Sequence, residues 1–126
     1  MRLRRENKEI MITGIHHFSI IASSEKSIDF YVSLGFKEER RITRSYDIVV
    51  LLSGFGIGLE IFIDRKHPGR GNPEPLGLRS LSLRVDRLEE TTRELGLESV
   101  EINTDWNGKR YVVVKDPDGN AVQLCE

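Results

Sequence analysis

The segment GIHHFSI at residues 14–20 returns sixty-three positions later as GLRSLSL at residues 77–83. The same spacing relates VVL at 49–51 to VVV at 112–114, and GLEI at 58–61 to AVQL at 121–124. Three segments therefore match residues of the same class at the same shift of sixty-three positions, which is typical of a duplicated supersecondary unit. Under this shift His17 corresponds to Ser80, and Glu60 corresponds to Gln123. The sequence thus predicts two related halves, each of which contributes half of a site.

Length and charge restrict the class of protein. A chain of 126 residues can bury a core as one domain, so stability alone requires neither a disulfide nor a metal. Its net charge of −1, from 19 basic and 20 acidic residues, provides no field that would attract nucleic acid or an anionic membrane. The single cysteine excludes an intrachain disulfide, and no apolar run reaches the roughly 18 residues of a membrane helix. We therefore expect a cytoplasmic protein that binds small molecules.

Each half has the pattern of one strand, one helix and three further strands. The first helix carries an apolar stripe that ends at Gly35, and the second ends at Gly96. Short runs rich in β-branched residues, bounded by turn residues, predict the strands. The predicted strands are 12–21, 36–44, 46–53, 57–63, 78–85, 99–103, 109–115 and 121–125.

These elements predict an α+β fold in which two tandem βαβββ modules form curved mixed sheets around a cavity. Module one spans 12–63 and module two spans 77–126, within a single domain of residues 12–126. The charged residues 1–11 are predicted to be a disordered basic tail. Residues 64–76 hold three of the four prolines and are predicted to be a linker or a loop over the pocket.

Alternation along the strands predicts which side chains face the cavity. In the strand over 78–85, Ser80, Ser82 and Arg84 share one face, because alternate residues of a strand point to opposite sides. The helix must cover the apolar face, so we expect Ser80, and His17 by the repeat, on the concave side.

The same alternation places Glu60 beside Phe62, and Gln123 beside Cys125. A polar group among such neighbours costs free energy unless it has a partner. We therefore expect Glu60 and Gln123 to be hydrogen-bonded or to bind a ligand, and we expect Phe62 to contact the ligand. Tyr111 either lines this pocket or packs at the end of a strand.

The arginines admit two interpretations. Arg84 either recognises an anionic ligand or pairs with a nearby acid. Arg40, Arg41 and Arg44 are expected on the solvent side of the strand over 36–44.

The motifs resemble those of the glyoxalase, bleomycin-resistance and extradiol-dioxygenase group, the vicinal-oxygen-chelate superfamily. The resemblance rests on the Ile-His-His opening that contains His17, on Glu60 within Leu-Glu-Ile-Phe, and on Asp-Pro-Asp-Gly-Asn at 116–120. It spans residues 13–126, and the stretch over 67–79 is similar to bacterial glyoxalase I-like proteins. Because this fold hosts many chemistries, the resemblance indicates the superfamily and not one reaction.

In that superfamily the four repeat-related positions usually carry His or Gln, Glu, His and Glu around one divalent metal. The resemblance implies that His17 and Glu60 are metal ligands and that Gln123 is a weaker one, with Ni, Zn, Mn or Co as the possible ion. Ser80 stands where histidine is usual, and Gln123 stands where the second glutamate is usual. A hydroxyl is a poor ligand and an amide oxygen a moderate one, so we expect a weakened metal site.

Two functions remain open. The first is a glyoxalase I-like protein of the lactoylglutathione lyase family that acts on a small oxygenated or thiol-conjugated metabolite. Because an amide cannot accept a proton at neutral pH, Glu60 is then the catalytic residue, and Ser80 holds a water. The second is a non-catalytic protein of the bleomycin-resistance type that sequesters a small ligand. In both cases the resemblance implies a homodimer.

Overall fold

A computed structural model describes residues 2–5, 8–63, 74–97 and 100–126. Two helices and the strands around them follow the order that the repeat predicts, which confirms the α+β class with two βαβββ modules. The elements are β1 (Arg2–Arg5), β2 (Lys8–Ala22), α1 (Lys26–Leu34), β3 (Lys37–Thr43), β4 (Ile48–Gly54), β5 (Ile57–Ile63), β6 (Gly77–Val85), α2 (Leu88–Glu94), β7 (Asn103–Thr104), β8 (Arg110–Lys115) and β9 (Ala121–Cys125).

The chain divides into two compact units. The central unit comprises His17–Ser80, and the flanking unit comprises Met1–His16 with Leu81–Glu126. In the central unit the strand order is β3-β4-β5-β2. β5 runs parallel to β2 and antiparallel to β4, which in turn runs antiparallel to β3. A parallel pair needs a crossover connection, which α1, β3 and β4 supply here.

The core of the central unit lies between α1 and one face of its sheet. α1 ends at Gly35, whose φ of 118° is a left-handed conformation that favours glycine. The buried core residues are Ala22, Ile28, Val50, Leu52, Leu59, Ile61 and Ile63. Because strand residues alternate, the neighbouring positions of β2 and β5 point to the opposite face, among them Ser19 and Glu60.

The flanking unit repeats this arrangement. β6 pairs parallel with β9, and β9 and β7 each pair antiparallel with β8. Its buried core consists of Val85, Leu88, Val112 and Leu124. Ser82 and Gln123 alternate with these core positions and lie on the other face of the sheet.

The register of the strands confirms the internal repeat. Ser19 lies opposite Glu60 between β2 and β5, and Ser82 lies opposite Gln123 between β6 and β9. Both members of one pair are related to the other pair by the same shift of sixty-three residues. The parallel strand pair of each module therefore presents the same positions on the same face.

One repeated segment is displaced by one residue from the predicted alignment. Val50 pairs with Ile61, eleven residues later, whereas Val112 pairs with Leu124, twelve residues later. The longer turn of the second hairpin accounts for the difference. Val112 is therefore equivalent to the core residue Val50, and the predicted match of Val49 to Val112 is wrong.

The ends of the predicted elements also differ. The segment 1–11 was predicted to be a disordered tail, whereas Arg2–Arg5 pairs antiparallel with the first residues of β2, so that these backbone groups bond to each other. Of the strand predicted over 99–103, residue 99 lies outside the described residues, and among the others only Asn103 is in a strand, which continues to Thr104. Most of the predicted 64–76 linker lies outside the described residues. In the part of the chain that the structure describes, no helix is long and apolar enough to cross a membrane.

Candidate functional site

A buried polar triad, His17, Ser19 and Glu60, lies on the face of the central sheet opposite its core. Nε2 of His17 is 3.3 Å from Oε1 of Glu60. The Ser19 hydroxyl donates a hydrogen bond of 3.0 Å to the same oxygen. The exposed fractions of the three residues are 7%, 1% and 6%. The structure thus brings the two residues of the predicted metal pair together and supplies the partners that a buried carboxylate needs.

The flanking unit carries the corresponding pair. The Ser82 hydroxyl donates a hydrogen bond of 2.9 Å to Oε1 of Gln123. Ser82 is fully buried, and Gln123 is half-buried. The glutamine oxygen thus accepts in module two the hydrogen bond that the Glu60 carboxylate accepts in module one. Sequence reasoning named Ser82 but missed Ser19, although the shift of sixty-three residues relates them.

Ser80, which the repeat relates to His17, is buried in the central unit with 4% of its surface exposed. Among the described residues, its hydroxyl is the buried side-chain polar atom that has no hydrogen-bond partner. A buried hydroxyl in this state costs about 1–3 kcal/mol relative to a bonded one. This position therefore retains hydrogen-bonding capacity for a ligand.

A second group of charges surrounds the Phe62 ring, and we call it the arginine–phenylalanine cluster: Arg44, Asp47, Phe62, Glu74 and Arg79. Arg44 donates to Asp47 through Nε and Nη2, at 2.6 and 2.7 Å. Arg79 donates to Glu74 through the same two atoms, both at 2.7 Å. The guanidinium carbons lie 5.8 and 4.0 Å from the centre of the Phe62 ring.

The position of Arg44 differs from the sequence prediction. Arg40 and Arg41 are exposed on β3 as expected, but Arg44 lies beyond that strand with only 19% of its side chain exposed. The hydrogen-bonded Asp47 carboxylate raises the pKa of Arg44, and the negative charge of Glu60 adds to the shift. The prediction for Arg44 is wrong because the alternation of faces along a strand does not apply to a residue in the loop after the strand.

The remaining predicted ligand-binding residues lie in the flanking unit. Arg84 pairs across the strands with Cys125, and Cys125 pairs with Tyr111. Cross-strand partners share a face, so both lie on the same side of the sheet as Gln123. Arg84 is exposed, and Tyr111 is half-buried. Their predicted contact with a ligand stays a prediction.

The triad has the donor chemistry of part of a metal site. One imidazole nitrogen and one carboxylate oxygen are good ligands for Zn²⁺ and similar ions. Their separation of 3.3 Å matches two neighbouring ligands that each lie about 2.1 Å from one ion. No group of three or more His, Cys, Asp or Glu side chains in the described residues is arranged to hold a metal. His17 and Glu60 therefore fit as two ligands, and the predicted participation of Gln123 stays a prediction.

In each βαβββ module the long first strand and the last strand pair in parallel. An imidazole–carboxylate pair lies on the face of the sheet opposite the core. Together these features define a protein of the vicinal-oxygen-chelate class. The chain matches the Glyoxalase/Bleomycin resistance protein/Dioxygenase superfamily over residues 14–124. It belongs to that superfamily, as the sequence motifs predicted.

Several solved structures are similar to this chain. A methylmalonyl-CoA epimerase from Mycobacterium tuberculosis is 19% identical, with a TM-score of 0.73 over 93% of this chain and 89% of that one. A hypothetical protein from Bacillus halodurans is 17% identical, with a TM-score of 0.67 over 89% and 92%. A glyoxalase family protein from Enterococcus faecalis is 36% identical over 90% of this chain and 98% of that one, with a TM-score of 0.41. Among proteins of curated function, none matches the chain significantly.

Proposed function

We propose that this protein is a glyoxalase I-like enzyme that moves a proton at a carbon next to a carbonyl in a small oxygenated or thiol-conjugated metabolite. The observation that carries the proposal is the buried contact of 3.3 Å between His17 and Glu60. A solvated strand glutamate would need no such contact, and a buried one is costly unless it has a function or a partner.

His17 and Glu60 are the residues that would hold a divalent metal in this enzyme. When bound, such an ion supplies a Lewis acid that polarises a substrate oxygen. The amide oxygen that the resemblance assigns to Gln123 stays a prediction. The set has one anionic ligand, so we expect weak binding that leaves positions for water or substrate oxygen.

Glu60 is the proton carrier. Its carboxylate takes the proton from the carbon next to the carbonyl and returns it to that carbon, which is an epimerisation, or to the carbonyl carbon, which is a 1,2-isomerisation. In the second case the hydroxyl proton of the first carbon moves to the former carbonyl oxygen, so that atoms and charge balance. Contacts from His17 and Ser19 converge on Oε1 and fix the orientation of the carboxylate. The Ser80 hydroxyl supplies a further donor for a water or substrate oxygen. The solved methylmalonyl-CoA epimerases support this reaction class, because epimerisation also moves a proton at such a carbon.

Metal content and proton exchange test the proposal together. Protein purified without chelator is analysed for Ni, Zn, Mn and Co, beside His17→Ala and the control His16→Ala, which removes the neighbouring imidazole. We expect bound metal in the unchanged chain and in His16→Ala, in substoichiometric amount because the site is weak, and none in His17→Ala. In D₂O, methylmalonyl-CoA and the hemithioacetal of methylglyoxal and glutathione serve as probes, and Glu60→Gln should abolish their exchange of carbon-bound hydrogen.

A second candidate is a non-catalytic protein that sequesters a small ligand. The observation in its favour is Gln123, an amide held by Ser82 where the superfamily usually has a second carboxylate. Protein without metal, with an unchanged melting temperature on metal addition and no hydrogen exchange in either probe, would support this candidate and reject the enzyme. The predicted homodimer is common to both and is measured by sedimentation.

A further inference from the structure

We propose that the arginine–phenylalanine cluster is a binding subsite for the carboxylate of a small organic anion. Nε and Nη2 of Arg44 and of Arg79 are used by Asp47 and Glu74. Between described residues, Nη1 of Arg44 and Nη1 of Arg79 make no hydrogen bond. Two planar guanidinium groups, fixed by their partners, thus keep donors available beside one ring, and such donors match the planar carboxylate well.

The cost of the arrangement argues against a purely structural role. The side chains of Arg79 and Glu74 are 8% and 10% exposed, and that of Asp47 is 1% exposed. Buried ion pairs seldom stabilise a fold more than apolar residues of the same size would. Two such ion pairs at one ring are therefore a costly way to fill the core if packing is their only role.

The cluster lies beside the triad. Phe62 follows Glu60 by two residues on β5, so both side chains point to the same face of the sheet. Their Cα atoms are separated by about 7 Å, the advance of two residues along a strand. The charge of Glu60 also acts on Arg44. A small carboxylic acid can therefore reach from the cluster to the Glu60 carboxylate.

The position of the cluster beside Glu60 indicates that the substrate is a small carboxylic acid. This inference about the substrate rests on the proposed function. The reacting carbon would lie at Glu60, and the substrate carboxylate would lie at Arg44 and Arg79. The carboxylates of Asp47 and Glu74 already neutralise the two arginines, so the anion is bound through hydrogen bonds without a large net charge. We therefore expect weak binding that selects carboxylates over their uncharged amides.

The test measures binding and requires no turnover. Malonate and its uncharged analogue malonamide are titrated into the full chain, and the arginine Nε–Hε signals are followed by NMR. We expect malonate to bind and to shift the signals of Arg44 and Arg79, whereas malonamide binds at least tenfold more weakly. The double variants Arg44→Gln/Asp47→Asn and Arg79→Gln/Glu74→Gln remove each pair without leaving an unpaired charge. Each should weaken malonate binding about tenfold.

A matched control is present on β3. Arg41 donates to Glu38 through Nε and Nη2 at 3.0 and 2.9 Å, three residues apart as in the Arg44–Asp47 pair. This pair lies on the exposed surface, and Nη1 of Arg41 also donates to Glu25, so it offers no comparable donor to a ligand. Arg41→Gln/Glu38→Gln should leave malonate binding unchanged. Should a double variant of the cluster fail to fold, Arg79→Lys keeps the charge, loses the planar geometry, and should still weaken binding.

Three results would overturn the subsite. They are equal binding of malonate and malonamide, malonate binding that the cluster variants leave intact, and binding of inorganic phosphate in place of malonate. The outcome is separable from that of the proposed function. His17→Ala should lose metal yet retain malonate binding, whereas the cluster variants should retain metal yet bind malonate about tenfold more weakly.

Discussion

Ser19 and Ser82 allow the strength of two equivalent hydrogen bonds to be compared within one molecule. Both hydroxyls are buried, both occupy the same position of the repeat, and both donate one hydrogen bond to a side-chain oxygen on the paired strand. The acceptor is a carboxylate in one case and a neutral amide in the other. Substituting each serine with alanine therefore removes the same bond from two different partners.

The expected cost differs between the two variants. A hydrogen bond to a charged group contributes about 1.5–3 kcal/mol, and one between neutral groups contributes about 0.5–1.5 kcal/mol. Ser19→Ala should thus lower the free energy of unfolding by about 2 kcal/mol, and Ser82→Ala by about 1 kcal/mol. With a slope near 2 kcal/mol per molar urea, the midpoints should fall by about 1 M and about 0.5 M.

The assay is urea unfolding at neutral pH, followed by circular dichroism. A third variant, Glu60→Gln, supplies the control, because in that background the additional loss caused by Ser19→Ala should fall to the value for Ser82→Ala. Equal losses for the two single variants, or a Ser19 loss that Glu60→Gln leaves unchanged, would refute the reasoning. Glu60 would then not be a charged acceptor held by Ser19.

Two further predictions concern Gly54, the last residue of β4, and Asp116, in the turn that follows β8. Gly54→Ala should lower the melting temperature by an amount equivalent to about 1–3 kcal/mol, because the added Cβ would lie 2.8 Å from a ring carbon of Phe36, and unchanged melting would contradict this packing. Hydrogen bonds from Asn120 lower the pKa of Asp116, so NMR titration should find its carboxyl ionised below the usual range. Since the folded pKa lies below the unfolded one, this contribution to stability is present above about pH 4 and disappears as the pH falls through the folded value, whereas Asp116→Asn should show no such pH dependence.

Much of the fold follows from local patterns. The segment GIHHFSI and its copy predict two modules, and the parity of their strands predicts that Ser82 and Gln123 share a face. Gly35 ends α1 where the apolar stripe stops. These predictions hold because alternation, helical period and glycine conformation depend on a few neighbouring residues.

The register of the second hairpin could not be predicted from these local patterns. Matching letters align Val49 with Val112, but pairing in the sheet makes Val50 the true equivalent. A one-residue difference in a turn reverses which face a side chain occupies, and valine is acceptable on either face. The sequence therefore leaves this choice to the packing of the core.

The sequence by itself determined the superfamily, the duplicated modules and the candidate pair His17 and Glu60, because these depend on motifs and spacing. Only the tertiary structure showed the Ser19 hydrogen bond and the two arginines at Phe62. Arg44 and Arg79 are separated by thirty-five positions in the chain and leave no shared local pattern. The two arginines lie at the same ring only because the folded chain brings both segments to one face of the sheet. A buried charge there is costly unless it is paired, so each arginine has a carboxylate partner.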